Sequence, residues 1–470
     1  MIPDSLHVCN PRCESKVRNS QISEVSFTRW CNGSTGDFDS PSHGSNPCRV
    51  ATGTFPLRRS NPLTNRSKLF SPTPAALVQI ATNKFSLEAT RFRLAKVLEE
   101  NLLSRGEVGA GFSIWYQDRC ASFNIGRCGA DLKSPLWTSD TLALVWSATK
   151  GPAVAAFLHL LGQQQLDLSK KISSLWPEFG AEGKKDFTLE DLLTHRTGLP
   201  GLPVPPDVFD HASVVRALAK SKPWWSDRSH GYHPRTFGYL LDELTRRIAG
   251  KLTLGQYWAE HFARPLGLEF YIGLPAELHH RAASMLAPRT AMSKEDPFFR
   301  AFMTPGTLTS LSFATPRGLH SALSMNTPEA RSAELPAFGG IGTAESLATF
   351  YGLLATDVRN GSTARTGLPL WALRILADPA PQASGHDRVL LMPTAFTLGF
   401  MRDPLDETGD KLRRTFGPSP HAFGHPGAGG SIAFADPERG IGFAYVMNQM
   451  EAGVLPNRRA MALIEALYEA

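Results

Sequence analysis

The chain has 470 residues, of which 42% are hydrophobic and 20% charged, with a formal net charge of +6. Those proportions are close to the averages for soluble domains, and no apolar run approaches the ~20 residues needed to cross a bilayer, which argues against an integral membrane segment. Most of the positive excess sits in residues 1–75, where 9 Lys and Arg face 5 Asp and Glu, so no basic stripe is left for a nucleic-acid partner.

Residues 1–75 are rich in Ser, Asn, Arg, Pro and Gly, show no helical or strand periodicity, and read as a disordered extension or an over-extended start. Four of the six cysteines (Cys9, Cys13, Cys31, Cys48) lie there, at a spacing that matches no zinc pattern. Cys120 and Cys128 fall in or just after one predicted strand, roughly 26 Å apart at ~3.3 Å per residue, too far for a disulfide unless the chain turns between them. No apolar stretch follows Met1, so no conventional secretory signal is expected and the location is read as cytoplasmic.

Order is expected from near Phe85. Ser86 precedes Phe92, Ala95, Val97, Leu98 and Leu102 at helical spacing, and the helix should end before Gly106. A hairpin follows, with strands at 111–116 and 121–127 around Gln117-Asp118-Arg119. The C-terminus mirrors this with strands at 431–435 and 441–447 and a closing helix over 457–468. The intervening chain is Pro-rich and helical, with amphipathic stretches at 151–161, 188–193 and 235–248; in the last, Phe237, Leu240, Leu241, Leu244 and Ile248 form one stripe that Gly250 stops. The prediction is an α+β fold. Residues 76–146 and 335–470 form a discontinuous sheet domain, residues 147–334 a mostly helical one, and a cleft lies between them.

Three stretches carry chemistry. Leu144 to Pro152 is a loop entering a helix, which puts Ser147 where free backbone N–H groups favour an oxyanion and Lys150, at i+3, on the same helix face. A desolvated lysine can lose its proton near neutral pH and accept one from a serine. A Ser-x-x-Lys pair also arises by chance about once in a chain this long, and an N-cap serine beside a solvated lysine fits it equally. Gly231-Tyr232-His233-Pro234 precedes the third amphipathic helix; Pro234 suits a first helical turn, and Tyr232 either points into a cleft or packs at the helix entrance. Gly424 to Ser431 leads into the C-terminal hairpin, either as a plain glycine-rich turn or as a close backbone approach in which the Ala428 N–H completes an oxyanion hole with that of Ser147. His195 reads as structural and His279-His280 as surface. There is no complete Gly-x-Ser-x-Gly elbow, no His-Glu-x-x-His helix and no phosphate-binding glycine loop.

In this order the three stretches resemble the Ser-x-x-Lys, Tyr-x-x and Lys-Thr-Gly boxes of the penicillin-binding-protein and class C β-lactamase superfamily, and most of all the β-lactamase-like family VIII carboxylesterases. The likeness extends over residues 85–470 and includes the stretches 192–200, 232–238, 271–275 and 423–431. It implies a β-lactamase/transpeptidase-like fold, an antiparallel sheet flanked by helices with an inserted, mostly helical domain. It further implies Ser147 as nucleophile, Lys150 as the partner that lowers its proton affinity, Tyr232 as general base and then acid, and the Ser147 and Ala428 N–H groups as oxyanion hole. His425 and Gly427 would bind a small-molecule ester substrate, with no metal or organic cofactor. Two departures bear on the substrate. Lactamases and peptidases of this superfamily carry Asn in place of Pro234, which binds a substrate amide, and Lys in place of His425, which holds a substrate carboxylate. Their loss points to a short-chain ester. A β-lactamase, a D-amino-acid peptidase, an acyltransferase and a catalytically silent binding protein are the alternatives on the same scaffold.

Overall fold

The computed structural model describes residues 85–469, so the expectations for residues 1–75 and their four cysteines lie outside the described residues. Helix α1 (Leu87–Ser104) starts at the expected cap: the Ser86 side chain accepts from the Ala89 N–H, and Leu87, Leu94, Ala95 and Leu98 are buried. Phe92 does not join them. It is 60% exposed, with the Lys96 ammonium 4.5 Å from its ring centre, because the buried stripe runs through Leu94 and residues two apart do not share a helix face.

Strands β1 (Gly109–Tyr116) and β2 (Arg119–Gly126) form the expected hairpin, with Phe112 opposite Phe123. In chain order there follow β3 (Ala143–Leu144), α2 (Lys150–Gln163), α3 (Thr236–Ile248), β4 (Phe270–Ile272), α4 (Pro297–Met303), α5 (Leu308–Ala314), β5 (Gly340–Gly342) and α6 (Ala344–Asn360). The chain closes with β6 (Ala383–His386), β7 (Pro393–Thr397), β8 (Phe400–Arg402), β9 (Phe423–Pro426), β10 (Ile432–Asp436), β11 (Ile441–Met447) and α7 (Arg458–Tyr468).

Eight strands make one antiparallel sheet in the order β2-β1-β11-β10-β9-β8-β7-β6. The N- and C-terminal hairpins meet in it, since β1 pairs with β11 from Ala110 opposite Met447 to Tyr116 opposite Ile441. Successive residues of a strand face opposite sides. Tyr116 packs on Phe85, just ahead of α1, with ring centres 4.8 Å apart, while Trp115 meets α6 on the other face. There α6 lies so close that a Cβ on Gly352 would fall 2.2 Å from the Trp115 ring, and one on Gly442 2.2 Å from the Ala348 carbonyl oxygen.

A second, three-stranded sheet (β3-β5-β4) and strands β6 to β8 have no counterpart in the sequence reading. They are two to five residues long, too short for a period-2 pattern to register. Helix α2 also differs from expectation: from Lys150 to Leu158 every residue is buried, so it is a central helix and not an amphipathic one. The stripe of α3 is as read, with Phe237, Leu240, Leu241 and Leu244 buried. Its stop is a Schellman turn in which Gly250 adopts φ +69° and the Lys251 N–H bonds back to the Arg246 carbonyl at 2.8 Å. Cys120 and Cys128 are both free and half-buried. Among the described residues no helix is long and apolar enough to cross a membrane, and no group of side chains is arranged to hold a metal ion.

Candidate active site

Ser147 lies in a 3₁₀ turn, Trp146–Thr149, that runs directly into α2. The turn is clamped from two sides. On one, the Val145 N–H donates to the Gly340 carbonyl (2.9 Å) and the Gly340 N–H donates to Thr149 Oγ1 (2.8 Å), tying the turn to β5. On the other, Gly427 approaches so closely that a Cβ would stand 2.0 Å from the Val145 carbonyl oxygen. Between the clamps Trp146 holds φ +50°, a left-handed conformation that is uncommon without glycine and that persists only where the surroundings over-determine it.

Lys150 is fully buried. Its Nζ lies 3.5 Å from Ser147 Oγ and donates to the carbonyl oxygens of Pro234 and Ala337, each at 2.8 Å. Burial holds its pKa well below the ordinary lysine value. A neutral amine has two N–H bonds and one lone pair. Two carbonyls take the two N–H bonds, which leaves the lone pair for the serine hydroxyl. Pro234 is not in the first turn of α3, which begins at Thr236; it stands ahead of the helix with its carbonyl turned to Lys150.

The Lys150 Nζ stands 4.8 Å from the centre of the Tyr232 ring. The Tyr232 hydroxyl is buried and makes no hydrogen bond of full geometry; burial holds its pKa well above the usual phenol value, and the nearby Ser147 hydroxyl offsets this only in part. Its backbone is fixed from two directions. The Tyr232 N–H donates to both carboxylate oxygens of Asp387 (3.1 and 3.0 Å), which also accept from the N–H groups of Val389 and Leu390 (2.8 Å each) and the Thr394 hydroxyl (3.0 Å). On either side of it, the Gly231 N–H donates to the His195 carbonyl (3.1 Å) and the His233 N–H to His195 Nδ1 (3.2 Å). The Leu199 N–H donates to His233 Nε2 at 3.0 Å, so the proton sits on Nδ1, which donates to the Gly231 carbonyl at 2.6 Å. Burial, more than any neighbouring charge, depresses the pKa of both rings, that of His233 to about 3. His195 is thus the structural group the sequence suggested. Asp387 was not legible there, because a lone Asp between two very short strands has no spacing that ties it to Tyr232.

Strand β9 carries His425, which is buried, donates from Nδ1 to the Pro426 carbonyl at 2.7 Å, and packs with its ring centre 5.8 Å from that of Tyr232. Burial, and secondarily the Lys150 charge, push its pKa down to about 3, so the ring is neutral. Ala428 starts a short turn after Gly427, and among the described residues neither its N–H nor that of Ser147 donates to a protein acceptor. Ser147 and Ala428 both line a cavity of about 790 Å³, counted with its mouth, whose walls are mainly aromatic: Trp146, Phe338, and from α4 and α5 Phe298, Phe302 and Phe313. Ser147, Lys150 and Tyr232 therefore converge, and Ala428 joins Ser147 at the cavity. His425 and Gly427 do not line it; the one stands behind Tyr232 and the other against Val145.

The sequence model of the beta-lactamase family matches residues 94–468. The "Esterase/beta-lactamase LipL" of Mycobacterium tuberculosis is 30% identical over 337 residues, 67% of this chain and 71% of that protein. Among solved structures, a family VIII carboxylesterase superposes with a TM-score of 0.69 at 30% identity, covering 81% of this chain and 97% of that one. A penicillin-binding-protein homolog from Caulobacter crescentus gives 0.69 at 31% identity over the same shares. With the two-faced antiparallel sheet and a Ser-x-x-Lys pair at the entrance of its central helix, the chain belongs to the beta-lactamase family and is a serine hydrolase of the β-lactamase/transpeptidase-like fold.

Proposed function

We propose that the protein is a carboxylesterase that works through a covalent acyl-enzyme on Ser147. The observation that carries this is the Lys150 amine, whose N–H bonds are taken by the Pro234 and Ala337 carbonyls while the remaining position faces Ser147 Oγ at 3.5 Å. Lys150 takes the serine proton as Oγ attacks the ester carbonyl, and the oxyanion forms against the Ser147 and Ala428 N–H groups. Tyr232 gives its proton to the departing alkoxide and regains one from Lys150. Water then enters, and the same groups act in reverse to release the acid. The raised pKa of Tyr232 favours this order, with Lys150 as the base and Tyr232 as the donor, over the base-then-acid role that the family resemblance implies for Tyr232.

Esters are favoured over amides and lactams for two reasons. Pro234 offers no side-chain donor to a substrate amide, and His425 is neutral with its one N–H bonded to Pro426. An activated ester needs little beyond the oxyanion hole, whereas an amide nitrogen must be held and protonated. The test is kcat/KM for p-nitrophenyl butyrate, nitrocefin and an acyl-D-Ala-D-Ala peptide. The reading requires the ester to be turned over at least tenfold more efficiently, and equal or better turnover of nitrocefin or the peptide replaces it with the lactamase or peptidase reading.

A further inference from the structure

We propose that the aromatic cavity beside Ser147 is a subsite for a flat apolar group bearing a carboxylate, and that Arg235, supported by Trp146, selects it. The proposal deepens the esterase reading and rests on it for turnover, though not for binding. Arg235 lines the cavity at the start of α3 and is only 5% exposed. A guanidinium has five N–H donors. Nη1 donates to the Phe313 carbonyl (3.2 Å) and meets His320 Nδ1 (2.9 Å), and Nη2 donates to the Gly318 carbonyl (2.6 Å). This leaves Nε–H, buried and without a partner, and one hydrogen on Nη2. Those two nitrogens form the edge with which an arginine grips a carboxylate side-on.

The surroundings make an anion the missing partner. Among the described residues no carboxylate pairs with Arg235 and no Asp or Glu lines the cavity. A buried guanidinium without a counter-charge is unfavourable, and its pKa is drawn down to about 10 by burial, so it stays charged at neutral pH. Trp146, next to the nucleophile, lines the same cavity, and its indole Nε1–H is likewise buried without a partner. Among the described residues lining this cavity, both orphaned buried side-chain groups are therefore donors. Most of the other lining residues are aromatic or aliphatic: Phe298 and Phe302 each meet Phe313 edge-on, with centres 5.6 and 5.4 Å apart, and the guanidinium lies 4.7 Å over the Phe338 ring. A planar apolar body fits such walls. The strand position where lactamases of the superfamily carry lysine is here a neutral histidine outside the cavity, so the cation that faces the substrate comes from the cap of α3 instead of from β9. The substrate class that results is monoesters of aromatic dicarboxylic acids.

The test compares monomethyl terephthalate with its uncharged counterpart, methyl 4-carbamoylbenzoate. Binding to the full chain carrying Ser147→Ala is measured by calorimetry, so that nothing is turned over. The carboxylate should bind about tenfold tighter or more, as a charge-assisted pair does over a neutral one. Adding Arg235→Gln should bring the two ligands to within about twofold, and Arg235→Lys should keep part of the preference. Equal binding of the two ligands before any change at Arg235 overturns the proposal even if Arg235→Gln does not fold, and so does a preference that survives Arg235→Gln. In the enzyme with Ser147 intact, the ratio of kcat/KM for the two esters should follow the binding ratio. If neither ester, nor p-nitrophenyl butyrate, is hydrolysed while the binding preference holds, the esterase reading fails and the subsite stands.

Discussion

Replacing Asp387 with Asn keeps the side chain's shape and removes its charge, and it should separate the placement of Tyr232 from its chemistry. The carboxylate receives the Tyr232 N–H on both oxygens, two further backbone N–H groups and the Thr394 hydroxyl, all at 2.8 to 3.1 Å and all buried. In Asn the one remaining oxygen keeps its donors only through neutral bonds, and the new NH₂ opposes the Tyr232 N–H. Hydrogen bonds to a charged group are worth ~1.5–3 kcal/mol against ~1 for neutral ones, so the change should destabilise the fold by roughly 2–4 kcal/mol. The melting temperature should fall by several degrees. A displacement of Tyr232 by even a fraction of an ångström should lower kcat about ten- to a hundredfold, with KM for p-nitrophenyl butyrate changed less than threefold. Steady-state kinetics beside a thermal melt reads both numbers. A variant that melts lower yet keeps wild-type kcat would show that Asp387 braces the loop without setting Tyr232.

Lys150→Ala and Tyr232→Phe should each lower kcat by orders of magnitude, and the double variant should be barely worse than either, because the two groups move one proton; independent, multiplicative losses would contradict the shared role. The rate should rise with pH as Lys150 loses its proton, with a midpoint well below the ~10.4 of a free lysine; a midpoint at the free value would show that burial does not govern Lys150. Stability should also depend on pH. His233 and His425 have folded pKa values drawn down to about 3, against ~6.5 when unfolded, so the unfolded chain binds more protons between those limits. Their contribution is complete above about pH 6.5 and is lost as the pH falls toward 3, at up to about 1.4 kcal/mol per unit for each ring. A melting temperature that stays level from pH 7 to pH 4 would count against it.

Much of the fold was legible because its longer elements carry clean patterns. The Ser86 cap, both terminal hairpins and the α3 stripe lie within a residue or two of where periodicity puts them. The short strands of the second sheet were not, and one of them, β5, clamps the Ser147 turn from the side opposite Gly427. Burial is the other quantity that spacing does not give. Every residue of α2 from Ala153 to Leu158 is apolar, yet so short a run does not separate a helix buried all round from one with a single buried face. Arg235 stood in plain view beside Tyr232, but nothing in the sequence told that its guanidinium lines the cavity without a carboxylate. His425 was expected to meet the substrate, and its ring instead packs 5.8 Å from that of Tyr232, a contact between distant segments that local spacing does not carry.

If acyl transfer passes through Ser147, mass mapping of peptides after brief reaction with a fluorophosphonate reads it out at the residue itself. One adduct per chain is expected, on the peptide bearing Ser147, with labelling and ester turnover both lost in Ser147→Ala while its melting temperature stays within a few degrees of wild type. No adduct, an adduct on another residue, or Ser147→Ala activity within tenfold of wild type would contradict it.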